Sequence, residues 1–298
     1  MTRKQQDTYR LLLLCLIPFV VAISVLRTLL LLKDYDAALG TYGGTTLLDD
    51  LTHLLLLVGG ILIAAFFLLQ RKKFSFPFEK DILVYIFPAS LSAITLLSLG
   101  IVNLVFTMQN ESGFGVRLLS IFLLLFAAAG CVYFVLCAQG AGSDGVRALL
   151  LMSVVIALIL SVISVYFDKS VLLDSPSRIL SQLSLILFFF FFLSETRFYI
   201  ERQMPVIYIS LGLLSILFTS ASAIPNLIFV AVRHGSVLST PVVDFTLFAF
   251  GVYAVIRLVR VAFTGCLRVE TVVDNEEVSD FIVDDELSEE SDETKEQE

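Results

Sequence analysis

The chain has 298 residues, of which 57% are hydrophobic and 16% are charged, and its mean hydropathy is +0.91. Soluble domains are about half apolar and about a quarter charged, so this composition excludes an ordinary soluble domain and indicates a bilayer protein. The net charge of −8 is local: the chain from Val269 onward holds 14 acidic residues and one Lys, whereas the first 268 residues hold 19 basic and 14 acidic ones.

Eight apolar stretches are long enough to cross a membrane, since a spanning helix needs about 20 mainly apolar residues. The sequence therefore predicts an all-α, polytopic helix bundle with spans near 11–32, 51–69, 82–106, 118–136, 146–167, 179–194, 205–224 and 242–263. The first stretch follows basic residues as a signal peptide does. Its apolar run is too long for a signal-peptide core and no small-residue cleavage site follows, so we predict a retained span.

The basic stretch 70–81, between the second and third spans, sets the predicted orientation. It contains four basic side chains, Arg71, Lys72, Lys73 and Lys80. Short loops rich in Lys and Arg stay on the cytoplasmic side during insertion. With this loop inside, 13 basic residues lie on the cytoplasmic side and 5 outside, which places both termini in the cytoplasm. Short loops and four cysteines without paired spacing favour a bacterial inner membrane.

The stretch after the seventh span has three interpretations. Pro225 and Asn226 precede an apolar run, 227–232, that is too short to span alone. It is either a kinked extension of the seventh helix, an interfacial piece or a re-entrant segment.

The chain divides into a membrane domain, 1–268, and an acidic tail, 269–298. The tail cannot bury enough apolar surface to fold, so we predict that it is disordered in the cytoplasm. Within it, Phe281 and Ile282 stand among acids in the segment 278–283 and could add to the sheet edge of a cytoplasmic partner protein. The alternative is a solvated tail without a partner.

Small and hydroxylated residues recur at helical spacing in three of the predicted spans. They are Ser92, Thr95 and Asn103 in the third, Ser153, Ser161 and Ser164 in the fifth, and Gly212, Ser215, Thr219 and Ser222 in the seventh. Such faces usually pack helices closely. The alternative is a polar path between these three helices, with Pro88 and Pro225 freeing backbone carbonyls for a solute or ion.

Ionisable residues in hydrocarbon are costly and call for a partner. Arg27 either snorkels outward or pairs with Asp49 or Asp50, at the same outer level. Arg257 and Arg260 lie one turn apart in the eighth span. They either pair with Glu195 or Glu201 or bind anionic lipid headgroups.

Motifs for chemistry are sparse. The acids of the first outer connection and its histidine (Asp34, Asp36, Asp49, Asp50 and His53) could gather a divalent cation, but no calcium-binding loop spacing is present. No nucleophile elbow, zinc-protease motif or phosphate-binding glycine loop occurs. We therefore expect no catalytic residues, no metal, no cofactor and no nucleic-acid partner.

Two function classes remain open from the sequence. The first is a non-catalytic sensing or scaffolding membrane component that passes a helix rearrangement to a cytoplasmic partner through the acidic tail. The second is a transporter of small solutes or ions built on the polar faces of the third, fifth and seventh helices. A membrane enzyme acting on lipid is a third and weaker interpretation, because it has no motif.

Overall fold

The computed structural model describes residues 3–36, 41–42, 47–70, 86–109, 113–139, 141–168, 172, 175–200, 204–233 and 241–264. The acidic tail with its 278–283 segment, most of the basic stretch 70–81 and Glu201 lie outside the described residues.

Eight α-helices make up nearly all of the described part of the chain. They are α1 Arg3–Asp34, α2 Leu47–Gln70, α3 Ile86–Gln109, α4 Phe114–Gln139, α5 Asp144–Phe167, α6 Pro176–Tyr199, α7 Pro205–Arg233 and α8 Val242–Thr264. Each is long and apolar enough to cross a membrane. The predicted all-α class with eight spans is therefore confirmed, although residues 82–85 of the predicted third span lie outside the described residues.

The helix α7 continues through Pro225 to Arg233, so the stretch 224–232 is a helix extension. Proline has no N–H, and the carbonyl one turn earlier loses its usual partner. The next residue, Asn226, is buried and donates from Nδ2 to Asp244 Oδ1 of α8 at 3.1 Å. This contact joins the extension to α8.

A short strand pair lies between α1 and α2. The strand β1, Tyr35–Asp36, pairs antiparallel with β2, Thr41–Tyr42, so that Tyr35 stands opposite Tyr42. The Tyr35 ring also packs edge-on against Phe229 of α7, with 5.5 Å between ring centroids. Two-residue strands have no alternation to read in a sequence, which is why this element was not predicted. It carries Tyr42 over the end of α1.

The helices α3 to α8 follow one another around a ring, because each packs on the next and α3 also packs on α8. The helix α1 packs against α7, α8 and α2, and α2 packs against α7. Of the most apolar window of α7, 67% is buried in protein, against 17% for α1. The helix α7 is thus enclosed, while α1 and α2 present most of their apolar surface outward, as lipid-facing helices do.

Two helices of the ring approach each other closely at Gly100 of α3. A Cβ placed there would lie 2.9 Å from the backbone Cα of Leu124 on α4, closer than real contacts allow. Glycine is therefore needed at this crossing, and it lets the two backbones meet, as small residues do in membrane helix pairs.

Candidate functional site

Two clusters of buried polar and charged side chains lie at opposite ends of α6 and α8. The Glu195 cluster lies toward the C-terminal ends of α6 and α8; its members are Tyr133, Glu195, Tyr199, Tyr253 and Arg257. The Arg27 cluster lies toward their N-terminal ends; its members are Arg27, Ser177, Ser181, Asn226 and Asp244. Both clusters therefore draw on the same pair of helices.

In the Glu195 cluster one carboxylate oxygen collects three donors. Glu195 Oε1 accepts from Tyr253 at 2.8 Å and from Tyr133 at 3.3 Å, and it forms an ion pair with Arg257. The Arg257 Nε in turn donates to the Tyr253 hydroxyl at 3.2 Å, and the guanidinium carbon lies 5.5 Å from the Tyr253 ring centroid. Glu195 is fully buried, so the pair is desolvated and is held by phenols on two helices. Such an arrangement locks α4, α6 and α8 together.

The Arg27 cluster is less completely bonded. Arg27 Nη2 donates to Ser177 Oγ at 3.0 Å, and this is the only hydrogen bond that the guanidinium makes with the described residues; Nε and Nη1 have none. Asn226 donates to Asp244, but its own Oδ1 has no partner in the described part of the chain. The exposed fraction of Arg27, Asn226 and Asp244 is at most 1%. Polar atoms buried without partners are rare and call for a ligand or ordered water.

Ser181 joins the two halves of the Arg27 cluster. It lies one helical turn after Ser177 and beside the Asp244 carboxylate, although its hydroxyl completes no hydrogen bond with a described residue. Asp244 is close enough to Arg27 to attract it electrostatically, as is Asp49 of α2. The cluster therefore holds a positive and a negative group near each other in the buried interior.

Tyr42 covers the Arg27 cluster from the strand pair. Its ring centroid lies 6.0 Å from the guanidinium carbon of Arg27, a cation–π distance. Burial raises the pKa of the Tyr42 phenol above its ordinary value, so the hydroxyl stays protonated. That hydroxyl lies near Ser177 and has no hydrogen-bond partner of ordinary geometry within the described ranges.

Aromatic rings fill the space between the two clusters. Phe250 of α8 is six residues after Asp244 and seven before Arg257, and Phe188 of α6 is seven after Ser181 and seven before Glu195. Ring centroids are 5.6 Å apart for Phe188 and Phe250 and 5.1 Å apart for Phe192 and Phe250. With Phe134 of α4, 5.9 Å from Phe192, they form an aromatic layer. The polar groups at the two ends are thus separated by buried rings.

The polar row of α7 faces α6 and α8. A Cβ on Gly212 would meet Phe191 of α6 and Leu258 of α8, and the Ser222 hydroxyl lies 3.0 Å from that of Ser184 on α6. Of the others, Thr219 lies beside Gly251 of α8, and Ser215 donates to its own helix at Leu211.

The polar residues of α3 and α5 meet at one point. Asn103 donates to Ser164 at 2.5 Å and accepts from Ser120 of α4 at 2.8 Å. Ser153 and Ser161 donate to carbonyls of their own helix.

On its other side, α3 faces α8. Ser92 donates to the carbonyl of Ala249 at 3.5 Å, and the Thr95 carbonyl accepts from Thr246 at 3.2 Å. The residues predicted to line one path between the third, fifth and seventh helices are therefore spread over separate contacts. The reason is the ring order, in which α8 stands between α3 and α7 and α6 stands between α5 and α7.

The candidate ion pairs have different outcomes in the structure. Arg257 forms an ion pair with Glu195. Arg27 forms no ion pair with a carboxylate of the described residues, Asp49 and Asp50 included, and reaches Ser177 instead. Asp49 lies 3.4 Å from the His53 ring nitrogen one turn later. Arg260 is half-buried on α8.

A metal site at the first outer connection receives no support from the described side chains. Among them no group of three or more His, Cys, Asp or Glu residues is arranged to hold an ion. The side chain of Asp36 lies outside this set.

Sequence reasoning missed most of the Arg27 cluster. Asp244 is an acid inside the predicted eighth span, which is by itself a signal of function. In the sequence, Asn226 is distinguished only by its position directly after Pro225. Ser177 and Ser181 carry no signal in the sequence, because single serines are common in membrane helices and their facing partners come from distant parts of the chain.

Eight apolar helices, with charged side chains turned into the interior, define a multi-pass integral membrane protein. A scan of protein-family models and searches of curated proteins and of solved structures found no match. Function therefore has to be argued from the two clusters.

Proposed function

We propose that this protein is a non-catalytic membrane sensor, in which occupancy of the Arg27 cluster changes the relative position of α6 and α8 and thereby the Glu195 cluster. The observation that carries the proposal is that both clusters are built on these same two helices. Along α8, Asp244 and Arg257 are about 20 Å apart at 1.5 Å per residue. A helix is stiff over this length, so displacement of one end of α8 also moves the other end.

The proposed output is the acidic tail, which follows α8 directly in the sequence. Arg257 lies seven residues before Thr264, the last residue of α8. A change in how Glu195 holds Arg257 would move the end of α8 and the start of the tail. The tail would then present Phe281 and Ile282 to a cytoplasmic protein partner, with both termini in the cytoplasm of a bacterium and the helices in its inner membrane.

We prefer sensing to transport because of the aromatic layer. A transporter needs a polar route past mid-depth, whereas Ser161 and Ser215 donate to carbonyls of their own helices and the rings of Phe188, Phe192 and Phe250 pack on one another. A sensor needs only a closed core that has two arrangements.

The test uses Cys266, between the end of α8 and the acidic tail, as a reporter. In a background with Cys15→Ala, Cys131→Ala and Cys137→Ala, the full chain is reconstituted in proteoliposomes. The labelling rate of Cys266 with a membrane-impermeant thiol reagent is then measured. We expect Asp244→Asn to change this rate and the control Ser153→Ala to leave it unaltered. Equal rates in all three proteins would contradict coupling between the Arg27 cluster and the tail.

A further inference from the structure

The Arg27 cluster holds more hydrogen-bonding capacity than the described residues use. A guanidinium has five N–H donors, and Arg27 uses one of them in a hydrogen bond to Ser177. The Tyr42 hydroxyl lies on the same side, near Ser177. Burying such groups without partners is costly, so their presence here lowers the free energy of unfolding.

The acceptors of the cluster lie near the next turn of α6. Ser181 follows Ser177 by one turn and lies beside the Asp244 carboxylate. Among the described residues, Asn226 donates a hydrogen bond to Asp244, and the amide oxygen of Asn226 accepts none. Donors near Ser177 are therefore one turn of α6 from acceptors near Ser181, and Arg27 and Asp244 form no ion pair with each other.

The signs of these groups select the ligand. A simple anion would satisfy Arg27, but its charge would be repelled by Asp244 and would leave the Asn226 oxygen unmet. A simple cation would satisfy Asp244 and be repelled by Arg27. A small molecule with both charges matches both sides, and each buried charge is then paired.

We propose that the Arg27 cluster is a binding site for a small zwitterion of the α-amino acid type. Its carboxylate is held by Arg27 with the Tyr42 and Ser177 hydroxyls, and its ammonium group is held by Asp244 and donates to the side-chain oxygens of Asn226 and Ser181. This assignment names the ligand class of the sensor and rests on that proposed function for its biological meaning. A planar guanidinium is the usual partner of a carboxylate, and a buried carboxylate is a suitable partner for an ammonium group.

The experiment is a thermal-melting series on the purified full chain in detergent micelles. Each standard α-amino acid is added separately at millimolar concentration, and propionate and propylamine serve as half-ligands. A ligand that binds only the folded state raises the melting temperature according to its concentration over Kd. We expect at least one amino acid to raise it and neither half-ligand to do so. No response to any amino acid, or an equal response to propionate, would overturn the assignment.

Two variants localise the binding by calorimetry. Arg27→Lys keeps the charge but loses the planar donors. Ser181→Ala removes a hydroxyl that completes no hydrogen bond in the described part of the chain, so it should change the melting temperature of the ligand-free protein little. Each variant should weaken amino acid binding by about 10-fold or more, the effect of one lost charge-assisted hydrogen bond.

The matched control is Ser184→Ala, because Ser184 is also buried on α6 but already bonds to Leu180 and Ser222. Its binding constant should stay unchanged. Equal loss in the control would place the effect outside the Arg27 cluster and refute the site.

The two proposals fail separately. Amino acid binding without any change in Cys266 labelling leaves the site in place and removes the sensor. A labelling change in Asp244→Asn with no amino acid binding removes the ligand class and retains the coupling.

Discussion

In the Glu195 cluster, Arg257 donates to a carboxylate and to a phenol, whereas in the Arg27 cluster Arg27 donates to a single serine hydroxyl. Both side chains are nearly inaccessible to solvent. The Glu195 cluster pairs its two charges with each other and leaves one atom, Glu195 Oε2, without a hydrogen bond from the described residues, while the Arg27 cluster leaves both donors and acceptors unused and its charges unpaired. Burial alone therefore does not tell a structural charge from a binding one. The degree to which the hydrogen bonds of a buried charge are satisfied does distinguish these roles. Four measurements test this difference between the two clusters.

The largest effect should come from Arg257→Met. It leaves Glu195 buried without its ion-pair partner, and removing one partner of a buried pair costs about 3–5 kcal/mol. Arg27→Met removes one charge-assisted hydrogen bond, worth about 1.5–3 kcal/mol, so it should cost less than Arg257→Met. Equilibrium unfolding in a denaturing detergent measures both.

The double variant Arg257→Met, Glu195→Leu is the control for the first measurement. It should recover part of the loss, because no lone charge is left in the core. Equal destabilisation by the two arginine variants would remove the distinction between the clusters.

The two phenols that donate to Glu195 should contribute to stability in the order of their hydrogen-bond distances. Tyr253→Phe loses the 2.8 Å bond to the carboxylate and the acceptor of Arg257 Nε, so we expect a loss of about 1.5–3 kcal/mol. Tyr133→Phe loses a bond of 3.3 Å and should cost less. The same unfolding assay gives the order. A larger loss for Tyr133→Phe would mean that Tyr133, and not Tyr253, holds the carboxylate.

Rigidity beside the aromatic layer can be probed at Gly212. Gly212→Ala would place a Cβ 2.9 Å from Leu258 and 3.0 Å from Phe191, and such overpacking costs about 1–3 kcal/mol. The control Gly60→Ala has nothing within 4 Å and should stabilise by up to about 1 kcal/mol through helix propensity. Opposite signs in the unfolding free energy are the expected result. If Gly212→Ala leaves the unfolding free energy unchanged, the packing of α7 against α6 and α8 is able to adjust.

The smallest effects concern the hydroxyls of α7. Ser222→Ala loses the bond to Ser184 and should cost about 0.5–1.5 kcal/mol. Ser215→Ala removes a bond to its own helix and should stay within about 0.5 kcal/mol of the parent protein. Thermal melting separates the two. A comparable loss at Ser215 would give it a role that its single contact does not explain.

The sequence predicted the helices well because the bilayer imposes a strong and local rule. Every buried backbone group must be bonded within its own segment, so about 20 apolar residues in a row specify a spanning helix. The continuation of α7 through Pro225 was left open, since a proline in an apolar run is compatible with a kink, a break or an extension. Its outcome depends on Asn226 meeting Asp244 on another helix.

The sequence identifies only some of the residues of the candidate site. Arg27, Glu195 and Arg257 were recognised because charge in an apolar run is conspicuous at the level of composition. Their partners were harder to identify, since Ser177 is 150 positions from Arg27 and Tyr253 is 58 from Glu195. The spacing of the small residues on α3, α5 and α7 is compatible with close helix packing or with a common path. Which faces meet follows from ring order, which local spacing does not encode.

By itself, the sequence determined that the protein crosses a membrane with eight helices and that Arg27 and Arg257 lie within them. The tertiary structure alone decided which charges are satisfied. Arg257 finds a carboxylate and phenols on neighbouring helices, and Arg27 finds one hydroxyl. The physical reason is that hydropathy is a property of each residue along the chain, whereas a buried hydrogen bond is a property of two side chains brought together by packing.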